Sequence, residues 1–349
     1  MPRADLPDLA VRVNGSALPM AAEADLRSVT VQEDLQVLSM FTLELHNWDD
    51  ELMRVSWSDS PLFAIGNEVE ISLGYAGDLQ KVMLAEITSL EPVFATGQQP
   101  LLAVRGYDHR HRLARGRKTR TFTQMKDSAI AGQIAREAGL RSQVDATEVT
   151  LSYVIQSNQS DWDFLRRRAS LIGYEIFVRD KILYFRSPPT ASSPADKLSL
   201  GADITEFSPR LSSLAQPATV TVRGWDVKQK QAVVASVRAA PGLGGPELGY
   251  SVARTAFGPS TMAIIGQPAR TVPEAGPIAQ GQFGAGSLAY VEGEVVAYGQ
   301  PQLHAGTVVE IAGAGLKFSG RYYVTSVTHT LTREHGYQTS FTVQRNATT

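Results

Sequence analysis

The sequence contains no cysteine. Disulfides, thiol nucleophiles and Cys-ligated zinc are therefore excluded together. No run of about 18 apolar residues occurs, so no membrane-spanning helix is expected. The opening MPRADLPDLAVRV has no apolar stretch of signal-peptide length. The expectation is a protein made and assembled in the cytoplasm, without a membrane partner. An excess of one charge is also missing: 33 Lys and Arg stand against 35 Asp and Glu, a net charge of -2. Chain-wide nucleic-acid binding is disfavoured, because phosphate contacts need surplus Lys and Arg. The sequence has no G-x-S-x-G, no phosphate loop and no H-E-x-x-H, so the common local signatures of hydrolases and nucleotide enzymes are absent. With 43% hydrophobic residues in 349, the chain can bury a sizeable core in two or three domains.

What is present reads first as strand. LAVRVNGSAL alternates until Asn14-Gly15, a hairpin-type pair. LSMFTLELHN sets Met40, Thr42 and Glu44 against Phe41, Leu43 and Leu45, and NEVEISLGYAG puts Val69, Ile71 and Leu73 on one side. This is antiparallel β, a barrel or sandwich. The pattern then changes. KDSAIAGQIAREAGL spaces Ile130, Ile134 and Ala138 by four and places Gly139 to end a helix. SDWDFLRRRASLIG opens a second helix with Ser160 and Asp163 at capping-box spacing and Gly173 as its stop. Arg166, Arg167 and Arg168 cannot share one helical face, so at least one is expected to pair or snorkel within the protein. YEIFVRDKILYFRS reads as a hairpin turning near Asp180-Lys181, and SPPTASSPAD (187–196) as a linker. PATVTVRGWDV and QAVVASVRAA are strands, residues 250–280 are expected as loop plus a short helix, and the last seventy residues are strongly β.

An internal repeat sets the architecture. At an offset of 240, Pro61, Gly66 and Val69-Glu70-Ile71 lie on Pro301, Gly306 and Val309-Glu310-Ile311. The register runs on through 82–90 against 322–330, and after a one-residue slip Gly97 meets Gly336. The fold class is mainly β (α+β): two similar antiparallel β-barrel domains, at 1–112 and 191–349, with a small α+β domain at 113–190 inserted between them. Three such chains around an axis present six similar surfaces, turning threefold symmetry into near-sixfold symmetry.

One stretch stands out chemically. Val104 to Phe122 holds seven Arg or Lys, two histidines and one acid. Three readings compete: a solvated face, a nucleic-acid groove, and a charged contact to a neighbouring protomer or baseplate protein. Stacking aromatics are not interleaved with the charge, only Tyr107 and Phe122 flanking it, which disfavours nucleic acid. The planar guanidinium suits the charged contact. His109 and His111 would share a face on a strand, yet no third ligand accompanies them, so no metal and no cofactor is expected. Asp161, Asp163 and Glu175 could be a glycosidase carboxylate set; the favoured alternative is that the two aspartates serve the helix N-terminus. No catalytic residue is assigned. The interface candidates are Arg110, Arg112, Arg115, Arg117, Lys118 and Arg120 in the stripe, and Val69, Ile71, Val309 and Ile311 on the repeated strands 66–75 and 306–316.

GYDHRHRLARGRKTRTF with the helix after it, VIQSNQSDWDFLRRRASLIGYEIFV, TVTVRGWDVKQKQAV and the closing GQPQLHAGTVVEIAGAGLKFSGRYYVTSVTHTLTREHGYQTSFTVQRN resemble the late control protein D family. That family comprises tail hub proteins of contractile-tailed phages and the hub part of VgrG-type spike proteins. The resemblance implies a non-catalytic homotrimer at the core of a contractile injection machine, carrying a spike and starting the hexameric inner tube. The chain reaches Thr349 without the oligonucleotide-fold barrel or β-helix of VgrG-type chains. The spike is therefore expected to be a separate polypeptide, with baseplate proteins as further partners.

Overall fold

A computed structural model describes residues 6–189, 194, 196–265 and 269–349. Most of the 187–196 linker expected from composition lies outside the described residues.

The first lobe contains β1 (Pro7–Val13), β2 (Ser16–Ala17), α1 (Met20–Asp25), β3 (Leu26–Asp34), β4 (Met40–His46), β5 (Glu68–Tyr75), β6 (Asp78–Val93) and β7 (Leu101–Tyr107). Strict alternation produces it: Phe41, Leu43 and Leu45, like Val69, Ile71 and Leu73, are fully buried, while the residues between them are not. Asn14 and Gly15 take φ of 51° and 83° and close the β1–β2 hairpin, as an Asn-Gly pair does in a two-residue turn.

The middle unit contains α2 (Arg110–Ala114), β8 (Lys118–Met125), α3 (Asp127–Glu137), β9 (Arg141–Val144), β10 (Leu151–Gln159), α4 (Asp161–Leu171), β11 (Glu175–Arg179) and β12 (Ile182–Arg186). α3 buries Ile130 and Ile134 of its predicted stripe, with Ala138 partly buried, and α4 buries Phe164, Leu165 and Ala169. Ser160 caps α4, its Oγ accepting from the Asp163 backbone N–H at 3.0 Å. Arg168 is the arginine of the triplet that turns inward, bonding the Asp127 carboxylate at 2.7 and 2.8 Å. Asp180 and Lys181, at φ 51° and 61°, turn the β11–β12 hairpin.

The remainder contains β13 (Asp196–Ser199), β14 (Ile204–Leu211), β15 (Thr219–Asp226), β16 (Gln231–Val237), β17 (Glu247–Leu248), α5 (Gly249–Phe257), β18 (Thr261–Ile264), α6 (Val272–Leu288), β19 (Val291–Tyr298), β20 (Val308–Ala312), α7 (Gly315–Phe318), β21 (Gly320–Thr332), β22 (Gly336–Arg345) and β23 (Ala347–Thr348). In the first lobe the hydrogen-bonded order is β3-β4-β7-β6-β5-β1; in the second it is β14-β19-β22-β21-β20-β13. The 240-residue offset lays β5 on β20, β6 on β21 and β7 on β22. Gly66 and Gly306, matched by the repeat, both take positive φ, 93° and 84°, just before their strands. The copies differ at the sixth strand, since β1 runs antiparallel to β5 and β13 parallel to β20. They are also fused. The second half of β21, from Ser326 to Thr332, pairs with β3, with Thr330 opposite Thr30, and the two barrel-like halves become one 13-stranded sheet.

Two regions differ from the sequence expectation. β15 and β16, expected in the second barrel, form a separate sheet with β18. Their inner residues Val220, Val222 and Val233 pack on α6 and its neighbours rather than on the barrel core. Residues 250–280, expected as loop and a short helix, carry α5 and most of the 17-residue α6. Pro277 and four glycines lower the intrinsic helix propensity of α6. Burial of Ala275, Ile278, Ala279 and Phe283 overrides it.

Candidate assembly site

The basic stripe is largely consumed inside the chain. Asp108 ends β7 and turns the backbone into α2, its Oδ1 accepting from the Arg110 N–H at 2.9 Å. That turn sends Arg110 inward, where only 1% of it is exposed. Its Nε donates to Asp108 Oδ2 at 2.6 Å and its Nη1 to the Asp34 carbonyl at 3.0 Å, and Ser39 accepts from Nη2. The guanidinium also lies 5.3 Å from the Trp162 ring centroid. Arg110 is thus a rivet between the first lobe and α4, and its candidacy as a contact to another subunit is withdrawn.

Arg112 and His111 converge on Glu86 of β6, Arg112 Nε at 2.7 Å and His111 Nε2 at 2.7 Å. Burial pushes Glu86 up, but these hydrogen bonds and the nearby His109 and Arg112 charges hold its carboxyl below the usual carboxylate range. His109 occupies the N-cap position of the short α2, without a side-chain capping bond, rather than sitting on a strand. Its Nε2 faces Glu68 and Glu86 at 3.7 and 3.9 Å. Lys118 and Arg120, on β8, both reach Asp161 of α4, at 2.6 and 2.8 Å. Arg120 also bonds Gln156 at 2.8 Å and pairs with Glu137. Of the stripe's cations, only Arg115 and Arg117 remain exposed without an ion pair among the described residues. Arg117 Nη1 donates to the Asn158 carbonyl at 3.0 Å.

Val69, Ile71, Val309 and Ile311 are also corrected as contact side chains. All four are 0% exposed within a single chain. Both edges of their strands are occupied as well, β5 by β1 and β6, β20 by β13 and β21. The alternation that makes these positions conspicuous in the sequence is the signature of a core, and a core residue has no surface to offer a partner.

Where the lobes and middle unit meet, the structure assembles groups of which the sequence singled out only Glu175. Glu33 of β3 accepts from His304 Nδ1 at 2.7 Å, from the Ala305 N–H at 3.3 Å and from Arg179 of β11 at 3.3 Å. Burial raises its carboxyl, yet these partners prevail and hold it at about 2. Glu175 accepts from Arg186 Nε at 2.6 Å and from the Tyr323 hydroxyl. Arg186 continues to the Gly306 carbonyl at 2.6 Å. Beneath lies an apolar cluster drawn from all three parts: Leu35, Phe177, Ala305, Val308 and Tyr323. No local motif marks Glu33, since its partners lie 146 and 271 residues away. Asp161 and Glu175, weighed as a carboxylate pair, belong to two separate ion-pair clusters.

The whole chain has the fold of known tail proteins. It superposes on the 43 kDa tail protein of prophage MuSo2 from Shewanella oneidensis with a TM-score of 0.72 at 13% identity, covering 97% of this chain and 98% of the other. A tail protein from Neisseria meningitidis gives 0.71 at 14%, covering 97% and 96%. The Escherichia coli c3393 protein, described as a component of the type VI secretion system, gives 0.60 at 14%, covering 97% and 77%. No curated protein sequence matches the chain. The family model for the Alg8 N-terminal domain matches residues 3–333, and the chain belongs to that family.

Proposed function

We propose that this chain is the structural hub of a contractile injection machine or phage-tail baseplate. In this reading it is a non-catalytic homotrimer that adapts a threefold spike to the sixfold inner tube. The observation that carries the reading is the repeated strand order of the two lobes, joined through the pairing of β3 with β21. A chain with two like lobes, used three times, supplies six quasi-equivalent platforms. The tail-protein fold and the resemblance to late control protein D sequences support the same role. They also support assembly into a tail or injection particle, with tube, spike and baseplate proteins as partners.

A non-catalytic role is supported by what the acids do: Asp161, Glu175, Glu86 and Glu33 all hold cations of neighbouring elements. The stripe then serves mainly to lock the hub internally, which suits a part that transmits force. The test is the solution mass of the purified chain, alone and co-expressed with a candidate spike protein. A mass near three times 37.8 kDa, or a three-plus-three complex, is expected. A chain monomeric under both conditions overturns the hub reading.

A further inference from the structure

The overall charge of -2 conceals a strong asymmetry. Residues 1–112 carry 17 Asp and Glu against 8 Lys and Arg, whereas residues 113–270 carry 13 against 21. Much of this basic excess is spent on the internal pairs described above. Two patches of opposite sign remain unspent.

The acidic patch lies at the end of the first lobe. Asp50, Glu51 and Asp59 are exposed in the loop after β4, and Glu23 is exposed on the adjoining α1. None of the four has an ion pair among the described residues. Between Glu51 and the exposed Arg54, Leu52 and Met53 are 57% and 72% exposed. The loop is stiff. Asp49 Oδ1 accepts from the Glu51 and Leu52 N–H groups at 3.0 and 2.9 Å, Asn47 Oδ1 accepts from Trp57 and Ser58, and Trp57 Nε1 donates to Asp25 of α1 at 2.8 Å.

The basic patch lies on the β15–β16 hairpin. Residues 219–238 hold four Lys or Arg against one Asp. Arg223, Lys228 and Lys230 are exposed and have no ion pair among the described residues. Beside them Trp225, Val227 and Val234 are 55%, 75% and 49% exposed. This tip is also pinned, Asp226 Oδ1 accepting from the Lys228 and Gln229 N–H groups at 2.8 and 3.0 Å. Each patch is an apolar centre inside a charged rim, the anatomy of a protein interface. Each is preorganised, which lowers the entropic cost of docking. Neither forms an ion pair with the other inside one chain.

We infer that the two patches are the halves of one heterologous contact between copies of this chain: the acidic loop at Asp50–Met53 of one protomer docks on the Trp225–Lys230 hairpin of the next, and repetition closes the ring. This rests on the trimeric hub reading and names the surfaces that would build it. Complementary rims fix the register and disfavour like-to-like pairing, since acid would face acid.

The test is a charge swap on the full chain, read by solution mass across a dilution series. Asp50→Lys with Glu51→Lys, and separately Lys228→Glu with Lys230→Glu, should each weaken the trimer by about tenfold or more, with raised salt weakening the wild type in the same direction. The chain carrying all four changes should recover the trimer, because the swapped rims again match. All sites are exposed, so circular dichroism should show each variant folded. If the wild type is a trimer and each two-residue variant stays one, the inference is overturned while the hub reading stands. The same holds if the four-residue chain does not recover, or if the variants lose only a co-expressed spike or tube protein. A wild type that is monomeric throughout overturns both.

Discussion

Glu33 and His304 lie 271 residues apart in the chain, and their carboxylate and imidazole meet at 2.7 Å. The contact joins β3 of the first lobe to the loop before β20 of the second, and Arg179 brings in the middle unit. It follows from the β3–β21 pairing, which sets Glu33 opposite Val327 at the seam of the fused sheet.

Acid should loosen this seam. Burial lowers His329 to about 4, and its neutral ring fits its partners: Nε2 donates to the Leu303 carbonyl at 3.2 Å and Nδ1 accepts from the Tyr337 hydroxyl at 2.9 Å. Glu33 sits at about 2. Both folded values lie below the ordinary ones of 6.5 and 4.5, so the unfolded chain binds more protons as pH falls. The stability is fully present above pH 6.5. The His329 part is lost down to about pH 4 and the Glu33 part between 4.5 and 2. The His329 share is on the order of 3 kcal/mol. Thermal unfolding at pH 7, 5.5 and 4 should show a steep fall that His329→Gln flattens.

Arg110→Met should cost about 3 kcal/mol, because it leaves the Asp108 carboxylate buried and unpaired. The paired Arg110→Met, Asp108→Asn chain should recover part of that loss. Arg115→Glu, on the same stripe but exposed, should leave the urea midpoint unchanged. Equal midpoints for Arg110→Met and wild type would refute the rivet.

Gly281 separates two kinds of helical glycine. A Cβ there would stand 2.3 Å from the Gly173 nitrogen and from the Ile172 carbonyl carbon, so α6 crosses the end of α4 at backbone contact. Gly281→Ala should cost about 2 kcal/mol or more through forced separation of the two helices. At Gly276 and Gly284 a Cβ meets nothing within 4 Å. Alanine there should raise stability by about 0.5–1 kcal/mol through helix propensity. Chemical denaturation of the three variants checks the order.

Asp161→Asn separates structure from chemistry. Loss of the carboxylate shared by Lys118, Arg120 and Gln156 should lower stability by about 2 kcal/mol. Neither the wild type nor the variant is expected to degrade peptidoglycan. Lytic activity in the wild type that the variant lacks would return Asp161 to the role of a catalytic acid.

The start of α6 carries a local signal that was not among the expectations above. Thr271-Val-Pro-Glu274 carries the capping signal that the helix uses, with the Glu274 N–H bonded to Thr271 Oγ1 at 3.4 Å and Glu274 Oε2 accepting from the Arg270 N–H at 3.0 Å. Its many glycines hid it, because their purpose, the close crossing at Gly173, is invisible along the chain.

The sequence by itself determined the elements and their repetition. Alternation fixed which faces of β4 and β5 are buried, Asn14-Gly15 and Asp180-Lys181 placed the hairpins, and the 240-residue offset matched strands that prove equivalent in order. These are local or periodic properties, written within a few residues of where they act. Tertiary structure alone decided which charges are free. Seven cations in nineteen residues read as one surface stripe, yet Arg110, Arg112, Lys118 and Arg120 are taken up by four acids, three of which, Glu86, Glu137 and Asp161, come from other strands and helices. A cation is spent or available according to what the fold brings within 3 Å of it, and such pairs leave no pattern in a single chain.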